Sequence, residues 1–459
     1  MITNDSSSLV SMRKLWAIAL PLMLSSLSAM VMMFIDRLIL AHYSMDAHNA
    51  AVEAGNMGWS FLAGWMALNG AAQIFVAQNY GAGKYKQLGQ PIWQMMWLGL
   101  ASLVFFYGLM KICPSYFFGG DASCEVQRTY LKLMLIFCPF HGLFNALNGF
   151  FIGQGKTFLP TTVVLLGNLI NGICCYLLVF GYGDVIPSFG AKGAAIAMNI
   201  AVIGQVSILL LSFLSSKNRR TCGTADWKWN PKLFKTCIFI GTPQALFCFL
   251  EVAGWGVFYK MMATLGESHL TVAGIVQNLL ILCMFFADGL SRAIAALAGN
   301  AIGAKRFDIV FKIVQTGFKA MVIFAIGFAG ILWFTHNLII DQFLSSMSAE
   351  QRELLYPALV FGFANAVIYK FLEGIRMVVA GALTAAADTF FLLVAGTCSI
   401  WFFMVIPVYL FVTRAEGSIE TALVICTIYT LLSAVVYTTR FYQGSWQKGG
   451  SLVLEAANN

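Results

Sequence analysis

SSKNRRTCGTADWKWNPK, residues 215–232, is the longest polar stretch in the chain. It carries Lys217, Arg219, Arg220, Lys228 and Lys232, and it holds Trp227 and Trp229. Basic residues beside tryptophans suit a membrane–water interface, and a polar stretch of this kind marks a boundary. Working outward, apolar segments fall at 14–42, 50–78, 91–112, 126–152, 158–182 and 190–215 on one side. On the other they fall at 234–264, 269–300, 308–335, 351–384, 387–412 and 417–444. A helix needs about 20 apolar residues to cross the hydrocarbon core. The expected architecture is therefore an all-α integral membrane protein, with twelve transmembrane helices in two six-helix lobes. Its divisions are an N-terminal lobe at 1–214, the linker at 215–232, a C-terminal lobe at 233–445 and a short tail at 446–459.

Composition agrees. Of 459 residues, 59% are hydrophobic and 10% charged, against about 25% charged in soluble domains. Mean hydropathy is +0.78. Too few polar residues remain to coat soluble surfaces, which excludes a soluble enzyme, a nucleic-acid binder and a disordered scaffold. The net charge of +8 follows topology. Arg13, Lys14, Lys84, Lys86, Lys156, the linker cations, Lys305, Arg306, Arg440 and Lys448 all fall on the linker's side of the membrane. Arg128, Lys192, Arg352 and Arg414 are the main basic residues of the opposite loops. Lys/Arg bias makes the linker side cytoplasmic, with both termini inside. The first apolar run, Leu15–Leu40, is too long for a signal segment and reads as a retained span. Eleven cysteines lie mostly within apolar segments with no metal-binding spacing. Cys113 and Cys124 flank one loop and are the pair able to form a disulfide on an oxidising side.

The halves repeat. Pro21 and Pro243 are 222 residues apart, and AQNYGAGK (77–84) lies over GNAIGAKR (299–306) at the same offset. GFFIGQGKT (149–157) lies over GALTAAADT (381–389) at 232, the extra ten residues being absorbed around DQFLSSMSAEQRE (341–353). With six spans each, the copies enter the membrane the same way up. They are parallel repeats about an axis along the membrane normal, an arrangement that places a site at the interface near mid-membrane.

These stretches carry a resemblance. Pro21 with Asp36, VAQNYGAGK (76–84), GQGKTFLP (153–160), GNLINGICCYLLVFG (167–181) and GAKGAAIA (190–197) resemble the multidrug and toxic compound extrusion (MATE) transporters. GTPQALFCFLE (241–251), EGIRMVVAGAL (373–383) and ADT (387–389) match that family's seventh and tenth spans. The resemblance covers about residues 12–445, nearest the NorM-like branch. It implies two lobes, alternating access and export of drug-like solutes in exchange for Na⁺ or H⁺.

A charge retained in the bilayer core marks a functional site. Asp36, Glu251 and Glu373 stand out. Asp36 sits in the outer half of span one, where the plainer reading is a helix-end charge; Arg37, at i+1, does not face it. Glu251 follows Pro243 by eight residues with no cation nearby in sequence. Tyr369, Glu373 and Arg376 share one helix face, with Lys370 on the same span. The resemblance gives Asp36, Glu251 and Glu373 a part in cation coupling. Arg376, which the family pattern does not predict, pairs with Glu373, or else with Glu251. Asp288 and Arg292, at i,i+4, read as an internal ion pair or else as a substrate contact. His141 is the repeat counterpart of Glu373: either a structural imidazole or a secondary proton carrier. The resemblance would support Asp36 with Asn171; Cys175 and Met198 replace oxygen donors there, leaving Asn168 to supply a further ligand. Phe247, Phe285 and Phe286 lie near the acidic spans.

GQGKT lacks phosphate-loop spacing, and no ATPase signature is present. The expected function is a cation-coupled antiporter for amphipathic, cationic solutes, monomeric in a bacterial inner membrane. It requires no cofactor beyond H⁺ or Na⁺ and no nucleic-acid partner. The alternative is a flippase for lipid-linked oligosaccharide, with Arg37, Lys370 and Arg376 facing a pyrophosphate. A third class, an intramembrane enzyme built on His141 and Glu373, has no nucleophile or metal constellation behind it.

Overall fold

Ser11 opens the first helix, its hydroxyl accepting from Arg13 N at 3.2 Å. The computed structural model describes residues 11–120, 124–345 and 347–447; most of the expected tail, Lys448 included, lies outside them. The first lobe comprises α1 (Met12–Tyr43), α2 (Met45–Gly70), α3 (Ala72–Gly81), α4 (Gly89–Phe118), α5 (Glu125–Gly153), α6 (Phe158–Phe180) and α7 (Ala191–Phe213). α2 and α3 form one span broken at Ala71. A short helix in the linker, α8 (Ser216–Cys222), leads to α9 (Pro231–Leu265) and to α10 (Glu267–Leu282) with α11 (Met284–Gly303). The last two form a single span bent by 40° at Cys283. α12 (Phe307–Leu344), α13 (Ala349–Ala385), α14 (Thr389–Ile400) and α15 (Ile419–Tyr442) follow, α14 running on through wide turns to Thr413. Among the described residues, eleven spans meet the length and apolarity of a membrane crossing, and the bent pair, taken as one span, makes the twelfth. Among the described residues there is no strand, only one bridge between Tyr182 and Ile186.

Large apolar side chains turned outward, such as Val104 at 80% and Phe334 at 85% exposure, suit a lipid surround. The ninth span outruns its expected end at 335. The polar residues of Thr335–His336–Asn337 do not break it, because His336 Nδ1 lies 3.1 Å from Leu332 O one turn back and apolar residues resume to Leu344. Cys113 and Cys124 are not joined by a disulfide. Both pack instead against an apolar cluster that includes Leu131 and Phe118.

The linker is strapped to α4. Trp93 Nε1 donates to Thr224 O at 2.9 Å, Trp97 Nε1 to Trp227 O at 3.2 Å, and Gln94 Nε2 to Lys228 O at 3.0 Å. Asn230 then caps α9, its side chain accepting from Leu233 N at 3.1 Å. A cap of this kind contributes about 1 kcal/mol.

The repeat is visible as contacts. Leu15, Ile18, Ala19, Leu22 and Met23, from the first turns of α1, belong to a core built mainly by the second lobe. Their counterparts at an offset of 222, Cys237 and Ile240 of α9, belong with Leu233 to the first lobe's core. At the linker face the exchange is reciprocal. A side chain at Gly81 would run into the Asn300 carbonyl, and one at Gly303 into that of Gln78. Gln78 Nε2 donates to Ala385 O at 2.7 Å. Asn300, with its amide nitrogen turned toward the carbonyls, reaches Gly153 O at 3.1 Å and Ala77 O at 2.7 Å. Gln78 and Asn300 are repeat equivalents, as are Gly153 and Ala385. The twofold arrangement expected from the offsets is therefore met atom for atom at this face, with backbones too close for any side chain.

Candidate functional site

The second lobe gathers its charges around one guanidinium. Glu251 comes from α9, just past Pro243; Glu373 and Arg376 lie one turn apart on α13. Arg376 Nη2 donates to Glu373 Oε1 at 2.6 Å and Nε to Oε2 at 3.0 Å, a bidentate pairing. The same Nη2 lies 3.4 Å from Glu251 Oε1. Both pairings left open by the sequence thus occur together. Side-chain exposure is 8% for Arg376, 12% for Glu373 and 28% for Glu251, so Glu251 is the carboxylate with open space before it. The guanidinium carbon sits 5.7 Å from the Tyr437 ring, a cation–π contact that helps hold it in place. Tyr369 is buried beside the cluster. Lys370 Nζ lies 5.7 Å from the Tyr369 ring and is buried as well.

The first-lobe site is smaller, and an amide, not a guanidinium, meets its carboxylate. Asn171 Nδ2 of α6 donates to Asp36 Oδ2 at 2.9 Å and to Oδ1 at 3.1 Å. The Asn171 carbonyl oxygen is buried with no partner among the described residues. Arg37 makes no ion pair with Asp36, as i,i+1 geometry requires. Asn168 is turned away, its amide donating to Ser28 Oγ at 2.8 Å; it braces α6 on α1 two turns from the carboxylate. His141 sits on α5 with Nε2 buried and unpartnered among the described residues, apart from both carboxylate sites. Phe247 packs against Gly396, and Phe285 and Phe286 take their places in the interlobe core.

Two polar devices escape a reading of single spans. Asp288 and Arg292 do form the expected pair, at 3.7 Å, but Asp288 Oδ2 also accepts the Ser26 hydroxyl of α1 at 2.6 Å across the lobes. Asp388 and Arg440 pair at 2.9 Å near the linker face. The first depends on the packing of α1 against α11, and the second joins residues 52 positions apart. The Gln78–Asn300 clamp did leave a sequence signal: the two amides coincide when AQNYGAGK is laid on GNAIGAKR.

Two parallel six-helix lobes with carboxylates and a guanidinium buried inside define a polytopic membrane transporter. The chain belongs to the MatE family, whose sequence model matches residues 21–177 and 243–410. The two matches begin 222 residues apart, which is the repeat offset. Among relatives, "Probable multidrug resistance protein NorM" of Thermotoga maritima is 22% identical over 449 residues, covering 96% of this chain and 95% of that one. Multidrug resistance protein PmpM of Pseudomonas aeruginosa is 24% identical, covering 82% and 79%. Among solved structures, an outward-facing multidrug resistance MATE transporter superposes with a TM-score of 0.84 at 14% identity, over 97% of this chain and 99% of that one. A Pyrococcus furiosus transporter described as having a binding pocket of reversed polarity gives 0.84 at 15%, over 96% and 98%.

Proposed function

We propose that this chain is an antiporter exporting amphipathic, cationic, drug-like or toxic solutes in exchange for H⁺ or Na⁺, by alternating access between its lobes. The observation that carries this reading is the buried Glu251–Arg376–Glu373 cluster inside a two-lobe bundle closed at one face. Relatives named for multidrug resistance support export as the direction. With the linker face cytoplasmic and both termini inside a bacterial inner membrane, the Gln78–Asn300 clamp closes the inner side and leaves access from outside. The protein acts as a monomer and needs no cofactor.

Coupling follows from competition. A carboxylate can hold a proton, a metal cation or a cationic solute, and the occupants exclude one another. At Glu373 the guanidinium already takes both oxygens, so H⁺ and Na⁺ alike would have to compete with it there. Glu251, held only at 3.4 Å and more exposed, is the carboxylate more open to a coupling ion. Protonation of Glu373 would loosen Arg376 toward Glu251 and change the charge facing a solute. Asp36, with Asn171, is the first-lobe partner in the same cycle.

Efflux of a cationic dye from proteoliposomes, driven separately by ΔpH and by a Na⁺ gradient, tests this. Glu251→Gln and Glu373→Gln should each slow transport about tenfold or more. Wild-type rates in both variants, at matched protein, would sink the role given to the carboxylates. The buried cations Lys370 and Arg376 favour one second reading, a flippase for lipid-linked oligosaccharide. Retention of a polyprenyl-diphosphate sugar, with no response to cationic dyes, would select it.

A further inference from the structure

A cavity of about 210 Å³ lies between the lobes, just inside the linker-face clamp. Gly70 and Gln73 of the first lobe line it, as do Ser291 and Arg292 of α11 and Gly381 and Thr384 of α13. Its position relative to the repeat is informative. Gly70 and Arg292 are equivalents at an offset of 222, and Ala295, the equivalent of Gln73, also lines the cavity. The cavity therefore straddles the pseudo-twofold axis, and its symmetry is broken where one copy places a glycine and the other an arginine. Gly70 leaves that part of the wall as bare backbone, because a side chain there would run into the Asn145 amide.

The wall offers donors with unfilled capacity. Arg292 has its nearest carboxylate oxygen at 3.7 Å, beyond hydrogen-bond reach, and that oxygen is already taken by Ser26 at 2.6 Å. Asp288 does not line the cavity; Arg292 does, with 31% of its side chain exposed. The side chains of Gln73 and Thr384 make no hydrogen bond among the described residues, although the Thr384 carbonyl accepts from Ala387 N at 2.9 Å. Ser291 is committed, its hydroxyl donating to Met377 O at 2.7 Å. Three side chains able to donate, one of them a forked cation, thus converge on one space. Arginine in this setting recognises planar oxyanions through paired N–H groups. The volume is below the roughly 300 Å³ at which drug-sized ligands begin, so it suits a head group and not a whole solute.

We infer that this axial cavity binds the carboxylate of the transported solute, with Arg292 as the specificity-determining residue and Gln73 and Thr384 completing the donor set. The inference rests on the antiporter reading and narrows its substrates to zwitterionic amphiphiles, whose cationic part is left for the acidic cluster. Rhodamine B, which bears a free carboxylate, and its ethyl ester share one cationic ring system and form the probe pair. The affinity of each is measured by fluorescence anisotropy on full-length protein in nanodiscs made of zwitterionic lipid.

Wild-type protein should prefer the acid to the ester. Arg292→Gln should lower that acid-to-ester ratio about tenfold, and Thr384→Val about threefold. A wild type indifferent to the carboxylate, or a ratio unchanged in both variants, overturns the inference. If Arg292→Gln does not fold, Thr384→Val and Gln73→Leu carry the test by the same ratio. Adding phosphatidylglycerol to the nanodiscs separates the other source of an oxyanion. Loss of rhodamine B binding to wild type, but not to Arg292→Gln, would assign the cavity to a lipid phosphate and overturn the solute assignment. Transport of the ester with no carboxylate preference would leave the antiporter reading standing; binding and transport of neither dye would remove both.

Discussion

Arg376 is held by two carboxylates from different helices, and the balance among the three decides what removing any one of them does. Taking a charge from a buried pair leaves the other uncompensated, at about 3–5 kcal/mol. Arg376→Met should therefore lower the thermal unfolding midpoint in detergent markedly, because Glu373 and Glu251 would face each other without a counter-charge. The double variant Arg376→Met/Glu373→Gln should recover part of that loss. A double variant as unstable as the sum of the singles would show that the pair is not coupled. The sequence placed these residues correctly on one face, since i,i+3 spacing is a local property. It left the partner of Arg376 open between Glu373 and Glu251, because Glu251 lies 125 positions away and its approach depends on how α9 packs. Asn168 shows the opposite limit. Its spacing from Asn171 suggested a shared task, yet a turn of helix is enough to direct one amide at Asp36 and the other at Ser28.

At the scale of helices, the closed linker face rests on two reciprocal backbone approaches, Gly81 on the Asn300 carbonyl and Gly303 on the Gln78 carbonyl. An alanine at Gly81 or Gly303 would overlap a facing carbonyl, which penalises the closed arrangement and spares an open one. Gly81→Ala and Gly303→Ala should each lengthen the distance between spin labels at Lys86 and Arg306, read by pulsed electron resonance. The effects should be non-additive: once the face has opened for one methyl group, the second costs little. Unchanged distances in both variants would mean the helices slide to accommodate a Cβ and that the face is not a gate. Here the sequence was more legible than for the charges, since matched glycines at a fixed offset carry the information in their spacing. It was less legible at α10–α11. Nothing in the sequence marks the bend at Cys283, because no Pro or Gly lies in the turns on either side of it.

For the molecule as a whole, two lobes of six spans follow from hydropathy and the repeat, but where each lobe's core comes from does not. The sequence marks the linker at 215–232 as a boundary and its tryptophans as interface anchors. In the structure Trp93 and Trp97 of α4 hold it by its carbonyls, so it travels with the first lobe. Trypsin acting on the linker at Arg219 and Arg220 should cut faster in a Trp93→Phe/Trp97→Phe variant than in the wild type. In either case the nicked protein should still elute as one particle in mild detergent. Separation of the halves after a single cut would contradict the packing, because the first turns of α1 are buried in the second lobe and those of α9 in the first. This exchange also sets an order on biosynthesis. The first lobe's core lacks Leu233, Cys237 and Ile240 until the ribosome has moved well past the linker, so six completed spans are not yet a finished unit. The second lobe needs α1, which was made first and is already waiting in the membrane.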